Sequence, residues 1–334
     1  MFQEKTLKDR RPRAHFLTGF DFSSPKPFDV VGLGLNAVDN LCVVPHFPRY
    51  DSKLRMLDFS RQGGGQAATA MVACQRLGLT TRYVGKSGEG EFGHYSRRSL
   101  EEEKVDIQGV KIVAGARNQF AFILIDQTTG ERTIIWDRDQ RLVMLPGEVP
   151  RDIICSAKVL LIDGHDSAAA VQAARYAKGE EMVVVMDAER ISEETAELVS
   201  LVDVVIGEKH FPERFTGSDD IKGALKEIAN RGPHVAGVTL GNEGALAYCE
   251  GQFYYSPAYQ VSCRDTTGAG DVFHAAFVRS LFEDWDLNSC LDFSNAVAAL
   301  KCQKLGGRAG IPCFDEVMEL MEQDKRLPCK GSFL

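Results

Sequence analysis

One short stretch carries the residue types needed for chemistry on a charged group. It is Asp265-Thr266-Thr267-Gly268-Ala269-Gly270-Asp271, running into Val272-Phe273-His274-Ala275-Ala276-Phe277. A glycine-rich turn here leads straight into an apolar run with helical character. The first turn of a helix presents main-chain N–H groups with no partner inside the helix, and a partial positive charge. With Gly268, Ala269 and Gly270 there, little side chain stands between those amides and an anion, so the turn is a candidate phosphoryl site. Asp271 sits at the helix start beside it. A carboxylate in that place is suited to take the proton of a hydroxyl as it attacks phosphorus. Asp and Gly also make ordinary helix caps, so the turn alone leaves both readings open.

A turn of this kind needs a rigid frame. Order begins at Phe28-Asp29-Val30-Val31-Gly32-Leu33-Gly34, and similar apolar runs follow at Arg82–Gly85, Val159–Asp163, Met182–Asp187, Val202–Ile206 and Val235–Leu240. Short, nearly continuous Val/Ile/Leu runs suit strands buried on both faces of a parallel sheet. Helical patterns lie between them, at Ala67–Leu77, Phe92–Glu103, Ser167–Lys178, Ser192–Ser200, Asp219–Asn230, Gly270–Phe282 and Asn288–Lys304. The alternation predicts a doubly wound α/β sandwich. Two stretches break it, about 41–61 and 110–136. In the second, Phe120–Ile125 and Arg132–Trp136 flank Thr129-Gly130, which reads as a β-hairpin. Strands inserted in this way predict a small sheet standing off the main domain, placed to close over a site and exclude water.

The 334 residues are enough for a sizeable core, and 44% hydrophobic with 26% charged residues is ordinary for a globular chain. A net charge of −8, from 47 acids against 39 bases, argues against a nucleic-acid partner. No apolar run reaches the roughly 18 residues of a membrane span, and no signal-peptide core is expected at the N-terminus. Nine scattered cysteines form no CxxC pair. They read as reduced thiols, and the expected location is the cytoplasm. Residues 1–27 read as a polar extension and 321–334 as a tail, flanking one domain over 28–320.

Asp265 to Val278 resembles the C-terminal signature of the ribokinase-like (PfkB) carbohydrate kinases: an acid, two variable residues, three small residues, Asp, then a small and apolar helix. Gly64-Gly65-Gln66-Ala67-Ala68-Thr69-Ala70-Met71, followed by Gly78 and Gly88, is similar to that family's N-terminal di-glycine signature. Gly88-Glu89-Gly90-Glu91-Phe92-Gly93, Val238–Ala245 and Asn295–Leu300 running into Leu305-Gly306-Gly307 fit in the same order. The resemblance implies a Rossmann-like three-layer α/β sandwich with a β-sheet lid, and ATP-dependent phosphorylation of a sugar or sugar-derivative hydroxyl. It implies Asp271 as base and the Gly268, Ala269 and Gly270 amides as the anion hole. Sugar contacts fall on Asp39, Gly64, Gly65, Gln66 and Thr69, and ATP contacts on Thr239, Gly241, Gly244 and Asn295. Arg138, beside the hairpin, is a candidate for an anionic sugar group, as are Arg117 and Arg132. Mg²⁺ is implied with ATP, K⁺ is left open, and a homodimer through the lid is expected.

The chain also departs from the pattern. Thr69 stands where the family usually has a substrate-contacting Asn. In Gly207-Glu208-Lys209-His210, a family N-x-x-E element that orders Mg²⁺ has lost its Asn and its acid, leaving Glu208 as the candidate replacement. The di-glycine segment is similar to the branch containing sulfofructose kinase. Two alternatives remain at this level. One is a nucleoside kinase of the adenosine type, with Phe47, Tyr50 and Phe120 as candidate stacking groups. The other is a catalytically weak sugar- or nucleotide-binding protein.

Overall fold

A computed structural model describes residues 17, 22–129, 131–283 and 285–328. Gly130, in the hairpin turn, lies outside the described residues, as do most of the 1–27 extension and positions 329–334 of the tail. In chain order, β1 (Phe28–Leu33) is followed by β2 (Ala37–Val44) and β3 (Asp58–Gly64), then α1 (Gln66–Arg76), β4 (Thr81–Gly88), α2 (Glu91–Glu101) and β5 (Asp106–Val113). The hairpin β6 (Phe120–Asp126) and β7 (Arg132–Asp137) precedes α3 (Arg151–Ile154), β8 (Ala157–Ile162), α4 (Ser167–Lys178) and β9 (Val183–Ala188). After these come α5 (Thr195–Leu201), β10 (Val204–Gly207), α6 (Phe211–Thr216), α7 (Ile221–Ala229) and β11 (Val235–Thr239). The last elements among the described residues are β12 (Ala245–Cys249), β13 (Gln252–Ser256), α8 (Ala269–Ser280), α9 (Leu287–Lys301) and α10 (Phe314–Gln323).

The main sheet has the order β13-β12-β11-β10-β9-β8-β1-β4-β5, parallel from β11 to β5, with β12 and β13 antiparallel at one edge. All six residues of β9 and all four of β10 are buried, as expected for central strands covered on both faces. One face packs a core with α1, α8 and α9. The other packs a separate core with α4, α5 and α7. Small residues on α1 (Ala67, Ala68, Ala70 and Ala73) sit in the first of these cores. From β1 the chain builds outward to β4 and β5, then returns to β8 on the opposite side and builds toward β11. The reversal opens a crevice beyond the carboxyl ends of β1 and β8, where ligands bind in open α/β sheets.

The second sheet has the order β3-β2-β6-β7 and carries its own small core of Leu41, Val43, Ala121, Ile123, Ile125 and Leu305. It is the lid expected from the sequence, with changed limits. Its first pair runs from Ala37 to Gly64, pairing Ala37 with Gly64 at one end and Val43 with Asp58 at the other. The second segment begins later than 110, because β5 pairs in parallel with β4 as the edge of the main sheet. The boundary expected at 320 falls inside α10. Beyond that helix Arg326 still bridges to Tyr259 and ion-pairs with Asp292 at 2.5 Å. No helix of the described residues is long and apolar enough to cross a membrane.

Candidate active site

The crevice is a cavity of about 750 Å³ between the main sheet and the lid. The main sheet contributes residues at its carboxyl ends: Leu35 after β1, His165 after β8, Asp187 and Glu189 at the end of β9, Glu208 after β10 and Thr239 at the end of β11, while Asp39 comes from the lid strand β2. The lid contributes alternate residues of β7, Arg132, Ile134 and Trp136, with Ala121 and Ile123 of β6. A second, apolar cavity of about 240 Å³ lies between the β11–β12 connection, α8 and α9. Thr239, Thr266, Ala269 and Gly270 line both, so the glycine turn stands where the two cavities meet.

The turn has a backbone only glycine accepts readily. Gly268 caps α8 with φ 74°, and a Cβ there would lie 2.9 Å from Gly307 Cα. A Cβ on Gly270 would meet nothing within 4 Å, because that residue faces the open cavity. The Ala269 N–H donates to Thr266 O (3.2 Å) and closes the turn. Of the three amides singled out from the sequence, Gly268 and Gly270 therefore stay available, joined by that of Asp271. No acceptor among the described residues meets them.

The Asp271 side chain faces the larger cavity and has no hydrogen-bond partner among the described residues. Burial, and then the Asp187 charge, push its carboxyl up to about 7. Burial holds Asp187 well above the usual carboxylate range too. His274, one turn along α8 from Asp271, stands beside Asp187. Its Nδ1 is 2.7 Å from Gly270 O and 3.4 Å from Asp187, and its Nε2 is 2.9 Å from Ile206 O. His274 thus ties the first turn of α8 to the ends of β9 and β10, and so fixes where Asp271 points.

On the lid side of the cavity, Asp39 has no hydrogen-bond partner among the described residues, and burial pushes it up to about 6. Gly64 makes room for it, since a Cβ there would lie 2.0 Å from the Asp39 Oδ2. Gly65, at φ 87°, and Gln66 also line the cavity, and Gln66 Nε2 donates to Glu189 (2.8 Å). Thr69 does not line it. That side chain is buried beneath Arg308, whose Nε lies 3.4 Å from the Thr69 hydroxyl while its other nitrogens donate to Gly64 O (2.9 Å) and Ser99 Oγ (3.1 Å). The hydroxyl expected to face substrate instead seats a buried guanidinium. Arg138 reaches the cavity wall but is already held by Asp166 through two bonds, of 2.8 and 2.9 Å. Arg117 pairs with Asp137 away from the cavity. Arg132 is the hairpin arginine that crosses to the turn, donating to the Thr266 hydroxyl.

Thr239, Gly241, Gly244 and Asn295 all line the smaller cavity. Asn295 is committed to the frame, its Nδ2 donating to Ser256 O and Oγ (2.9 and 3.0 Å). Glu208 lines the larger cavity and ion-pairs with Arg214. Phe47, Tyr50 and Phe120 do not line it. Trp136 is the aromatic ring that does.

Comparison with known proteins decides the family. The model of the pfkB family carbohydrate kinases matches residues 29–313. The chain belongs to this family. It is 28% identical over 326 residues to a 5-dehydro-2-deoxygluconokinase of Bacillus subtilis, covering 91% of this chain and 98% of that one. It is 25% identical to a ribokinase of Haemophilus influenzae, with 87% and 97% covered. Among solved structures, a provisionally named ribokinase of Agrobacterium tumefaciens superposes with a TM-score of 0.83 at 27% identity, covering 90% and 98%.

Within this carbohydrate kinase, sequence reasoning did not single out Asp187, Glu189, His274 and Arg308. A usable signal existed for the first two. In Val183-Val184-Val185-Met186-Asp187-Ala188-Glu189-Arg190, charges appear abruptly at the end of a fully buried strand. Arg308 gave no such signal, because its role depends on a contact across more than 200 residues.

Proposed function

We propose that this carbohydrate kinase transfers the γ-phosphoryl group of ATP to a hydroxyl of a sugar or sugar acid. The observation that carries the reading is the meeting of two cavities at one glycine turn, with Asp271 on the larger side. The adenine and ribose take the apolar cavity beside Thr239, Gly241, Gly244 and Asn295. The acceptor lies against Asp39, Gly65 and Gln66. Asp271 takes the hydroxyl proton as the new O–P bond forms and the bond to the ADP oxygen breaks. The Gly268, Gly270 and Asp271 amides meet the charge on the transferring group, and Arg132, carried by the lid, stands over the same turn.

Mg²⁺ is expected with ATP. No group of three or more His, Cys, Asp or Glu side chains gathers into a metal site among the described residues. Asp187, Glu189 and Glu208 nevertheless line the cavity, which fits a hydrated ion that arrives on phosphate oxygens and meets one or two carboxylates. Such an ion would neutralise phosphate charge. Glu208, restrained by Arg214, is the residue that would hold its water.

The names of the relatives make 5-dehydro-2-deoxygluconate and ribose the first acceptors to try, and the Gly64–Met71 likeness adds sulfofructose. Nucleosides have less support, since Tyr50 and Phe120 line neither cavity and Phe47 lines only an adjoining one beside Arg132. A second copy of the chain is the proposed partner of the lid. The ladder places Phe59, Cys42 and Leu124 in one outward row and Phe122 and Ile135 in the next, and Phe59, Phe122 and Ile135 are exposed. The eight cysteines among the described residues are unpaired, which suits a reducing, cytoplasmic setting. The test is ADP release from ATP by purified protein across ketoses, aldoses, sugar acids, sulfosugars and nucleosides. Stimulation by a sugar or sugar acid is expected. Stimulation by nucleosides alone, or by nothing, would overturn the proposal.

A further inference from the structure

Directly behind the catalytic turn stands a buried ammonium. Lys301, the last residue of α9, is 0% exposed, and it is the one fully buried lysine among the described residues. Its Nζ donates to Asp265 O at 2.9 Å. Asp265 is itself buried, and each of its polar groups is used. Its N–H donates to Cys302 O (3.1 Å). Its Oδ1 accepts from Thr267 N (2.9 Å) and Thr267 Oγ1 (2.7 Å), and its Oδ2 from Gly306 N (2.7 Å). The start of the phosphoryl turn is therefore pinned to the end of α9 and to the segment that packs under Gly268. Burial draws the Lys301 pKa down, and the Asp265 carboxylate works against that.

A main-chain carbonyl beside a buried carboxylate is an oxygen set that suits a small cation. Here a tethered cation already holds it, so the K⁺ left open by the sequence does not fit at this place. We propose that Lys301 is a built-in monovalent cation for the catalytic turn: it holds the Asp265 carbonyl, balances the Asp265 carboxylate, and frees the enzyme from any exchangeable K⁺. Lys301 is a positioning residue acting through Asp265–Gly268, and the inference rests on that turn being the phosphoryl site.

The test compares wild type and Lys301→Met in potassium, sodium and tetramethylammonium salts of equal ionic strength, reading both kcat and thermal midpoint. Wild-type kcat is expected to agree within about twofold across the three salts. Lys301→Met is expected to lose about a hundredfold in tetramethylammonium and to recover about tenfold with K⁺, ammonium or methylammonium. Its thermal midpoint is expected to rise with the same small cations, while that of wild type does not respond. Three results would overturn the inference: wild-type kcat falling tenfold or more without K⁺, a folded Lys301→Met as active as wild type, or a variant indifferent to every cation. If the variant does not fold, the wild-type salt series decides. Wild type that releases no ADP with any acceptor refutes the kinase reading instead, and the thermal midpoints then judge the cation separately.

Discussion

Asp271 is the side chain whose environment says most about its work. Burial and the neighbouring Asp187 raise it to about 7, so it binds a proton more tightly in the folded chain than in the unfolded one. Two outcomes follow from that sign. As the proposed base, Asp271 must be deprotonated to act, so kcat/KM for the acceptor should fall about tenfold per pH unit below about 7, as an initial-rate pH profile can check. Ionisation of Asp271 costs the folded state stability as pH rises toward 7, and that cost persists above it. Asp271→Asn removes the cost, so its thermal midpoint at alkaline pH should be no lower than wild type's. Arg308 is a different case. It is buried behind Asp39 and holds Gly64 O. Arg308→Met strands those partners and should cost about 2–4 kcal/mol, read from the urea midpoint. Residue types were legible where local spacing carries the meaning, as in the turn at 265–271 and the pair Gly64-Gly65. They were not legible where a partner comes from far along the chain. Thr69 looked like a substrate contact because nothing nearby in sequence reveals Arg308.

At the scale of elements, the lid and the head of α8 form one device. The lid strands alternate, so that Ile134 and Trp136 face the cavity while Phe122 and Ile135 face outward. Arg132 leads the inward row and bonds to the turn. It is exposed, so Arg132→Ala should leave stability unchanged while lowering kcat about tenfold, because closure over the turn loses its latch. The strands were readable from their Val/Ile/Leu runs, and Ser167–Lys178 has the expected limits. The hairpin of β12 and β13 was missed. Its Ala245–Cys249 run is short, and it is completed only by pairing with β11. The assignment of 110–113 to the lid failed for a related reason, since β5 finds its partner in β4.

At the scale of the molecule, the order of the strands creates the function. The reversal between β1 and β8 opens the crevice, the inserted strands roof it, and the helices α8 and α9 carry the second cavity to the same turn. The outward lid face should join two copies. Phe122→Lys should convert a dimer to a monomer by light scattering, and a monomeric wild type would remove that expectation. The alternation of strand and helix made the sandwich and its lid legible, but the meeting of two cavities at Gly270 belongs to no segment of sequence. The most direct measurement is acceptor-dependent ADP release by wild type and Asp271→Asn side by side, with folding of the variant checked by its thermal midpoint. Wild type should respond to a sugar or sugar acid, and the folded variant should lose roughly two to four decades of kcat. A folded variant that turns over at the wild-type rate would contradict the account.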